Sequence, residues 1–255
     1  MSTFVGIDVG NTHTTVGWWE GGQWRHEWRL TTKAHRTKDE WTVSLEGVLR
    51  RAGFPERPIS TLAISSVVPA MTANMQFAAR ELGLTPIVIG ATHIKSVQIA
   101  YDPPKAVGPD RLCGVAAAVS RFGVPIIVVD LGTATVIDIV DNNRVYRGGV
   151  IAPGVATAAE SLNKATALLP KVELAFPTSV VGRNTIEAIQ SGILYGALSM
   201  IDGLVSRIQS EIGKVPVIAT GGFADLLQGQ SSTITHVDQQ LVLEGIRLLA
   251  TGEWS

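Results

Sequence analysis

Two short stretches pair an aspartate with a glycine two residues on, followed by small hydrogen-bonding residues: Asp8-Val9-Gly10-Asn11-Thr12 and Asp130-Leu131-Gly132-Thr133-Ala134. Both suit a phosphate group. Small residues let backbone N–H groups approach an anion closely, and Asn11, Thr12 and Thr133 add side-chain donors. A carboxylate repels bare phosphate unless a divalent cation stands between them, and Mg²⁺ held through a carboxylate and phosphate oxygens is the ordinary arrangement. Asp8 therefore points to Mg²⁺-nucleotide chemistry, against the alternative of a tight turn whose aspartate caps local amides. In the second stretch, Asp130 and Asp138 in the following strand are both candidate cation ligands, and the pattern does not choose between them. No G-x-x-x-x-G-K-[ST] occurs, and no G-x-G-x-x-G follows either opening strand. This argues against P-loop kinases and dinucleotide oxidoreductases.

Between these stretches lies Gly108-Pro109-Asp110-Arg111, a turn at the start of an Ala-rich helix. Asp110 is the candidate general base. Phosphoryl transfer rests mostly on positioning and charge stabilisation, so an aspartate of ordinary acidity suffices to accept the hydroxyl proton. Arg111 beside it can hold an anionic group bidentately. The competing reading is a helix N-cap followed by a surface arginine. His13, His26 and His35 have no metal-ligand spacing and read as surface or internally satisfied residues. Thr220-Gly221-Gly222-Phe223 after a strand permits close packing against a flat ligand such as adenine. The single cysteine, Cys113, excludes an intrachain disulfide and thiolate-cluster metal sites, and reads as a small core residue.

The elements that must position these residues follow from periodicity. Strands are expected over 4–7, 14–19 and 24–30, with a hairpin turn at 20–23, then a helix over 38–52 whose Trp41, Leu45, Val48 and Leu49 share one face. A strand over 59–68, a helix over 72–82 and a strand over 85–89 precede the Ala-rich helix. The rhythm then repeats: strands over 124–129, 135–140 and 144–151, helices over 156–165 and 185–212, a strand over 215–219 and a last helix over 239–250. Each Asp-x-Gly ends the first strand of its own hairpin, so the chain reads as two similar α/β units facing each other across a cleft, divided near 114–123.

The bulk numbers agree with such an enzyme. A chain of 255 residues, 45% hydrophobic, can bury one large core or two modest ones. Lys plus Arg number 21 against 22 Asp plus Glu, and no basic patch is interleaved with aromatics, so no nucleic-acid partner is expected. The start, Met1-Ser2-Thr3-Phe4-Val5, lacks a basic region and a cleavage-like site, and the apolar run 124–129 is far too short to span a membrane. A reducing cytoplasm and no membrane association are the expectation.

Taken in order, the segments resemble the type III pantothenate kinases, of the actin-like, sugar-kinase-like and Hsp70-like superfamily. The resemblance runs from Asp8-Val9-Gly10-Asn11-Thr12 with Gly17, through 108–111 and 130–135, to Gly148-Gly149-Val150-Ile151-Ala152-Pro153-Gly154. It continues with Thr166-Ala167-Leu168-Leu169-Pro170, Gly182-Arg183-Asn184-Thr185 and Thr220-Gly221-Gly222, covering nearly the whole chain. It implies duplicated ribonuclease H-like (actin-like ATPase) α/β domains, 1–118 and 119–255, with mixed five-stranded sheets flanked by helices and a central cleft. It implies ATP-dependent phosphorylation of pantothenate to 4′-phosphopantothenate, the first step towards coenzyme A, by a homodimer. Asp8, Val9, Gly10, Asn11, Thr12, His13, Thr14 and Thr15 fall in the first ATP phosphate loop, with Asp8 near Mg²⁺, and Thr133 is a second ATP contact. Asp110 matches the proton acceptor. Tyr101, Gly108, Pro109, Asp110, Arg111 and Thr185 match the pantothenate-binding positions, and Asp130 a ligand of a monovalent cation, potassium or ammonium. Cys113-Gly114 and Val136 depart from residues frequent in that family, at positions that carry no assigned role. Rival readings are another small-molecule kinase or phosphohydrolase of the superfamily, and a nucleotide-binding accessory protein without turnover.

Overall fold

The computed structural model describes residues 3–33 and 35–253. The chain divides into two compact units, Met1–Arg121 with Gln240–Ser255, and Phe122–Gln239.

The first unit opens with β1 (Thr3–Val9), β2 (His13–Glu20) and β3 (Gln23–Thr31), an antiparallel meander whose tight turn uses Gly21 and Gly22 at positive φ. Helix α1 (Lys38–Ala52) begins at Thr37, which forms a capping box with Glu40, and stops at Gly53 with φ 105°. Then come β4 (Thr61–Ser66), α2 (Pro69–Glu81), β5 (Pro86–Val88), the two-residue β6 (Gln98–Ile99) and α3 (Pro109–Phe122). The sheet order is β3-β2-β1-β4-β5, with β4 and β5 running parallel to β1. Strand alternation decides what each face carries. Val5, Ile7, Val9, Val16, Trp18, Leu62 and Ile64 pack with Trp41, Leu45 and Leu49 of α1 and Met71 and Met75 of α2 into one core. The opposite face carries Asp8 and a glycine pair, Gly6 opposite Gly17.

The second unit repeats this plan. Its β7 (Ile126–Leu131), β8 (Ala134–Val140) and β9 (Val145–Pro153) form an antiparallel meander, followed by α4 (Val155–Ala165), α5 (Thr185–Ile212), β10 (Val217–Thr220), α6 (Ala224–Gln228) and β11 (His236–Val237). The strands lie in the order β9-β8-β7-β10-β11, with β10 parallel to β7 and β11 parallel to β10. By length and composition α5 could cross a membrane, but its stripe of Leu194, Leu198, Ile201 and Val205 is buried against Ile127, Val129 and Val217 of the sheet.

The chain then returns to the first unit as α7 (Leu241–Thr251), which lies on β1 and β4. The glycines on this face are used by it. A side chain at Gly17 would stand 2.6 Å from the Trp24 ring and 2.8 Å from Leu243, and one at Gly245 would run into the Cys113 backbone of α3. Glu244, 6% exposed, accepts from Trp24 Nε1 at 3.2 Å and pairs with Arg247 at 2.8 Å, so the buried charge is compensated.

Several boundaries differ from the periodicity. Helix α2 starts at Pro69, not Thr72, because proline is well placed at a first helical position, where its missing N–H is no loss. The segment 108–111 is not a separate turn: Pro109 is the first residue of α3 and Asp110 lies inside its first turn. The strand expected over 59–68 is confined to Thr61–Ser66, and α6 and β11 are too short to show a period.

Candidate functional site

The site in the first unit is assembled by the register of three strands. Asp8 sits opposite Thr15 on β2 and Ser65 on β4, so all three side chains share the face on which α7 lies. Among the described residues, one oxygen of Asp8, Oδ1, is enclosed and has no hydrogen-bond partner, and the fully buried Ser65 hydroxyl has none either. Burial pushes the Asp8 carboxyl up to about 7, the negative charge of Asp110 adds to this, and the neighbouring Ser65 hydroxyl opposes it without reaching hydrogen-bond geometry.

Asp110 projects from the first turn of α3, where an acidic side chain is favoured by the helix dipole. Its Oδ1 accepts from the Arg111 amide at 2.8 Å. Burial holds its carboxyl above the usual range, while the Arg111 amide and guanidinium pull the other way. Gly108 makes room, since a side chain there would run into Asp110 Oδ1. Three residues on, Cys113 faces the same cluster. Burial, then the charges of Asp8 and Asp110, raise its thiol well above normal, which leaves it protonated and inert. The N-cap reading of Asp110 gives way to one in which it lies inside the helix, near enough to Asp8 to perturb it electrostatically.

The loop after Asp8 is held by backbone bonds. Gly10 N–H donates to His13 O at 3.0 Å, and Thr32 N–H to Thr12 O at 2.9 Å. Val9 and Thr14 are buried and anchor the loop from below, with the Thr14 hydroxyl 2.8 Å from that of Thr32. Asn11 and Thr12 are exposed at the tip. His13 Nδ1 meets Arg29 at 3.1 Å, and burial together with the Arg29 charge lowers its imidazole. The donor set fits Mg²⁺: this ion keeps waters and phosphate oxygens and needs only one or two carboxylates, and the half-buried Asp8 supplies one at the end of β1, where the loop begins. Among the described residues no group of three or more His, Cys, Asp or Glu could hold a metal by itself.

Arg111 lies over the Tyr101 ring, 5.8 Å from its centroid, so two of the pantothenate-matching residues meet beside Asp110. Thr185 is placed in the second unit, as the first residue of α5 after its N-cap Asn184. There it lines an open hollow of about 670 Å³ with Arg183, Leu162 and Leu169.

The second Asp-x-Gly loop is built differently. Gly132 N–H donates to Ala134 O at 3.1 Å, and Thr133 O accepts from Gly154 N–H at 3.1 Å and from the Thr157 hydroxyl at 2.7 Å. The Asp130 carboxylate is tucked among glycines: side chains at Gly132 and Gly221 would come within 3.2 Å and 2.7 Å of its Oδ1. Gly221, with φ +92°, thus serves local packing against Asp130 and Leu131. Asp138 is 3% exposed and accepts from the buried Tyr146 hydroxyl at 2.7 Å, which gives it an internal structural partner. Ser65 is the residue that sequence reasoning missed. Only the parallel pairing of β1 with β4 brings it beside Asp8, and no local spacing signals that.

A family model described as type III pantothenate kinase matches residues 4–207. The chain is 41% identical over 245 residues to a type III pantothenate kinase of Halalkalibacterium halodurans, covering 95% of this chain and 96% of that one. It is 40% identical over 247 residues to one from Anaeromyxobacter dehalogenans, covering 96% and 97%. Among solved structures, a protein of Campylobacter jejuni named for the Baf family of transcriptional activators superposes with a TM-score of 0.63 at 18% identity, over 97% of this chain and 98% of that one. A ROK hexokinase of Thermus thermophilus superposes with a TM-score of 0.51 at 13% identity, over 98% and 99%. These two likenesses establish the duplicated α/β fold. The pairing of Asp8 with Asp110, carried on that fold, and the match over nearly the whole length lead to one assignment: the chain belongs to the type III pantothenate kinase family.

Proposed function

We propose that this chain transfers the γ-phosphoryl group of ATP to the primary hydroxyl of pantothenate, giving 4′-phosphopantothenate and ADP. The observation that carries the reading is the gathering of Asp8, Asp110, Arg111 and Tyr101 in one unit, with both carboxylates perturbed by burial. Asp110 accepts the hydroxyl proton as the oxygen attacks phosphorus and the bond to the departing ADP oxygen breaks. Arg111, steadied over Tyr101, holds the pantothenate carboxylate, and the absence of side chain at Gly108 keeps Asp110 in place. Backbone N–H groups of the loop from Gly10, with Asn11 and Thr12, bind phosphate oxygens, and Thr133 contributes from the second loop. Asp8 would hold Mg²⁺, which neutralises charge on the phosphates. Asp130 is the proposed ligand of a potassium or ammonium ion. Thr185 is a further pantothenate contact. A homodimer is proposed through the second unit, where Leu168, Val180, Val181 and Ile186 are exposed apolar residues.

The test is direct. Purified protein with ATP, Mg²⁺ and potassium should convert pantothenate to its phosphate ester, followed by mass spectrometry. Retained nucleotide binding with no turnover overturns the reading in favour of a non-catalytic accessory protein.

A further inference from the structure

The Ser65 hydroxyl is fully buried beside the apolar Ile64 and opposite Asp8, and among the described residues it has no hydrogen-bond partner. A buried hydroxyl without a partner destabilises the fold, and alanine at this strand position would avoid that cost. Two unsatisfied oxygens face the same place, because Asp8 is the register partner of Ser65 and its Oδ1 is likewise enclosed and unpartnered. The hydroxyl already acts on the Asp8 carboxyl and on the Cys113 thiol, so it lies against both. Of the groups that shift Asp8, Ser65 brings a hydrogen-bond donor, whereas the Asp110 carboxylate repels it. Cys113 stays protonated beside them and offers only a weak S–H donor.

We propose that Ser65 is a positioning residue for the nucleotide-bound metal: its hydroxyl donates to Asp8 Oδ1 and so turns the other carboxylate oxygen towards the phosphate loop. The inference rests on the reading of Asp8 as the Mg²⁺ holder. In the ionised carboxylate one oxygen is then satisfied internally and the other is free for the ion, a division that fixes the rotamer before the nucleotide arrives. Such an outer contact typically tunes metal affinity by 10–100-fold.

The experiment measures Mn²⁺ binding to the protein–ATP complex by electron paramagnetic resonance, beside the Mg²⁺ dependence of turnover, under reducing conditions. Ser65→Ala and the near-isosteric Ser65→Cys should each weaken Mn²⁺ binding by about tenfold and raise the Mg²⁺ concentration for half-maximal rate by a similar factor. The rate at saturating Mg²⁺ should change much less, and Ser65→Thr, which keeps the donor, should restore binding. Thermal unfolding of each variant confirms that it is folded. If Ser65→Cys binds Mn²⁺ like the parent, the residue matters only for packing and the proposal is overturned. Asp8→Asn separates the two levels. Loss of Mn²⁺ binding there, with none in Ser65→Ala, sinks the role of Ser65 alone, whereas unchanged Mn²⁺ binding in Asp8→Asn removes the reading beneath it.

Discussion

The two Asp-x-Gly hairpins occupy the same place in the same strand order, yet their surroundings have diverged. In the first, Asp8 has a bare enclosed oxygen, and a second carboxylate, Asp110, is close enough to raise it further. In the second, Asp130 is packed among Gly132 and Gly221, and the next carboxylate, Asp138, is tied to Tyr146. The threonines that follow differ too. Thr14 is paired with Thr32, while Thr135, equally buried, has no partner. Duplication supplies the phosphate-shaped turn twice, and what fills the space behind each turn decides its chemistry. In the proposed reading the first is the acid–base and Mg²⁺ site, and the second is a packed loop that offers Thr133 to the nucleotide and Asp130 to a monovalent cation.

This contrast breaks most sharply at Asp110. Asp110→Asn should lower kcat about 10³-fold with the protein still folded, as expected for loss of a general base; steady-state kinetics with circular dichroism checks this. A fall of less than tenfold would move the proton acceptor elsewhere. Asp8→Asn should follow, abolishing productive Mg²⁺ dependence. Asp130→Asn should leave Mg²⁺ dependence intact and alter only the response to potassium, read by titrating each ion separately. Equal responses in the two variants would erase the proposed division of labour.

A structural test comes next. Gly154→Ala would drive a methyl group into the Gly132 and Thr133 carbonyls of the second loop, so it should cost about 3 kcal/mol and raise the KM for ATP. Chemical denaturation and kinetics together measure it. The pH dependence is smaller. Folded Asp8 keeps its proton up to about 7, whereas the unfolded chain releases it near 3.8. The folded state therefore binds more protons between these values. Its stability is full below the lower value and falls as pH rises through the higher one, by on the order of a few kcal/mol for the ligand-free protein. Melting temperatures from pH 4.5 to 8 should show this slope, and Asp8→Asn should flatten it. A slope unchanged in that variant would place the titrating group elsewhere.

The smallest effect is the most particular. Thr135→Val replaces a hydroxyl that has no partner and should be neutral or stabilising by about 1 kcal/mol, while Thr14→Val breaks a hydrogen bond and should cost about 1 kcal/mol. Opposite signs at corresponding positions would confirm that the two loops are supported differently.

Much of this was open to a reader of the chain alone. Hairpins announced themselves through Gly21-Gly22 and Asp141-Asn142-Asn143, and the helices through their period. Asp110 stood out by its Gly-Pro-Asp-Arg context, read as a turn leading into the helix, although Pro109 and Asp110 already belong to the first turn of α3. Alternation reports which face a side chain takes but not what lies across from it. Hence Ser65 stayed hidden, since its meeting with Asp8 depends on the parallel pairing of strands far apart in sequence. Residue pattern alone left Asp130 and Asp138 equal as cation ligands; only the family resemblance favoured Asp130, and no local spacing showed that the Tyr146 hydroxyl donates to Asp138. The period of the last helix predicted a helix, but nothing in it named β1 and β4 as the sheet beneath.

That last helix sets an order of assembly. On a ribosome the second unit, one continuous stretch from 122 to 239, is complete before α7 has been made. The first unit is begun earlier and finished later, because the face bearing Gly6 and Gly17 waits for Leu243 of α7 to cover it. Protease sensitivity of stalled nascent chains should therefore persist in the earlier-made unit after the later one is protected, so that competence to grip a nucleotide is among the last properties the growing chain acquires.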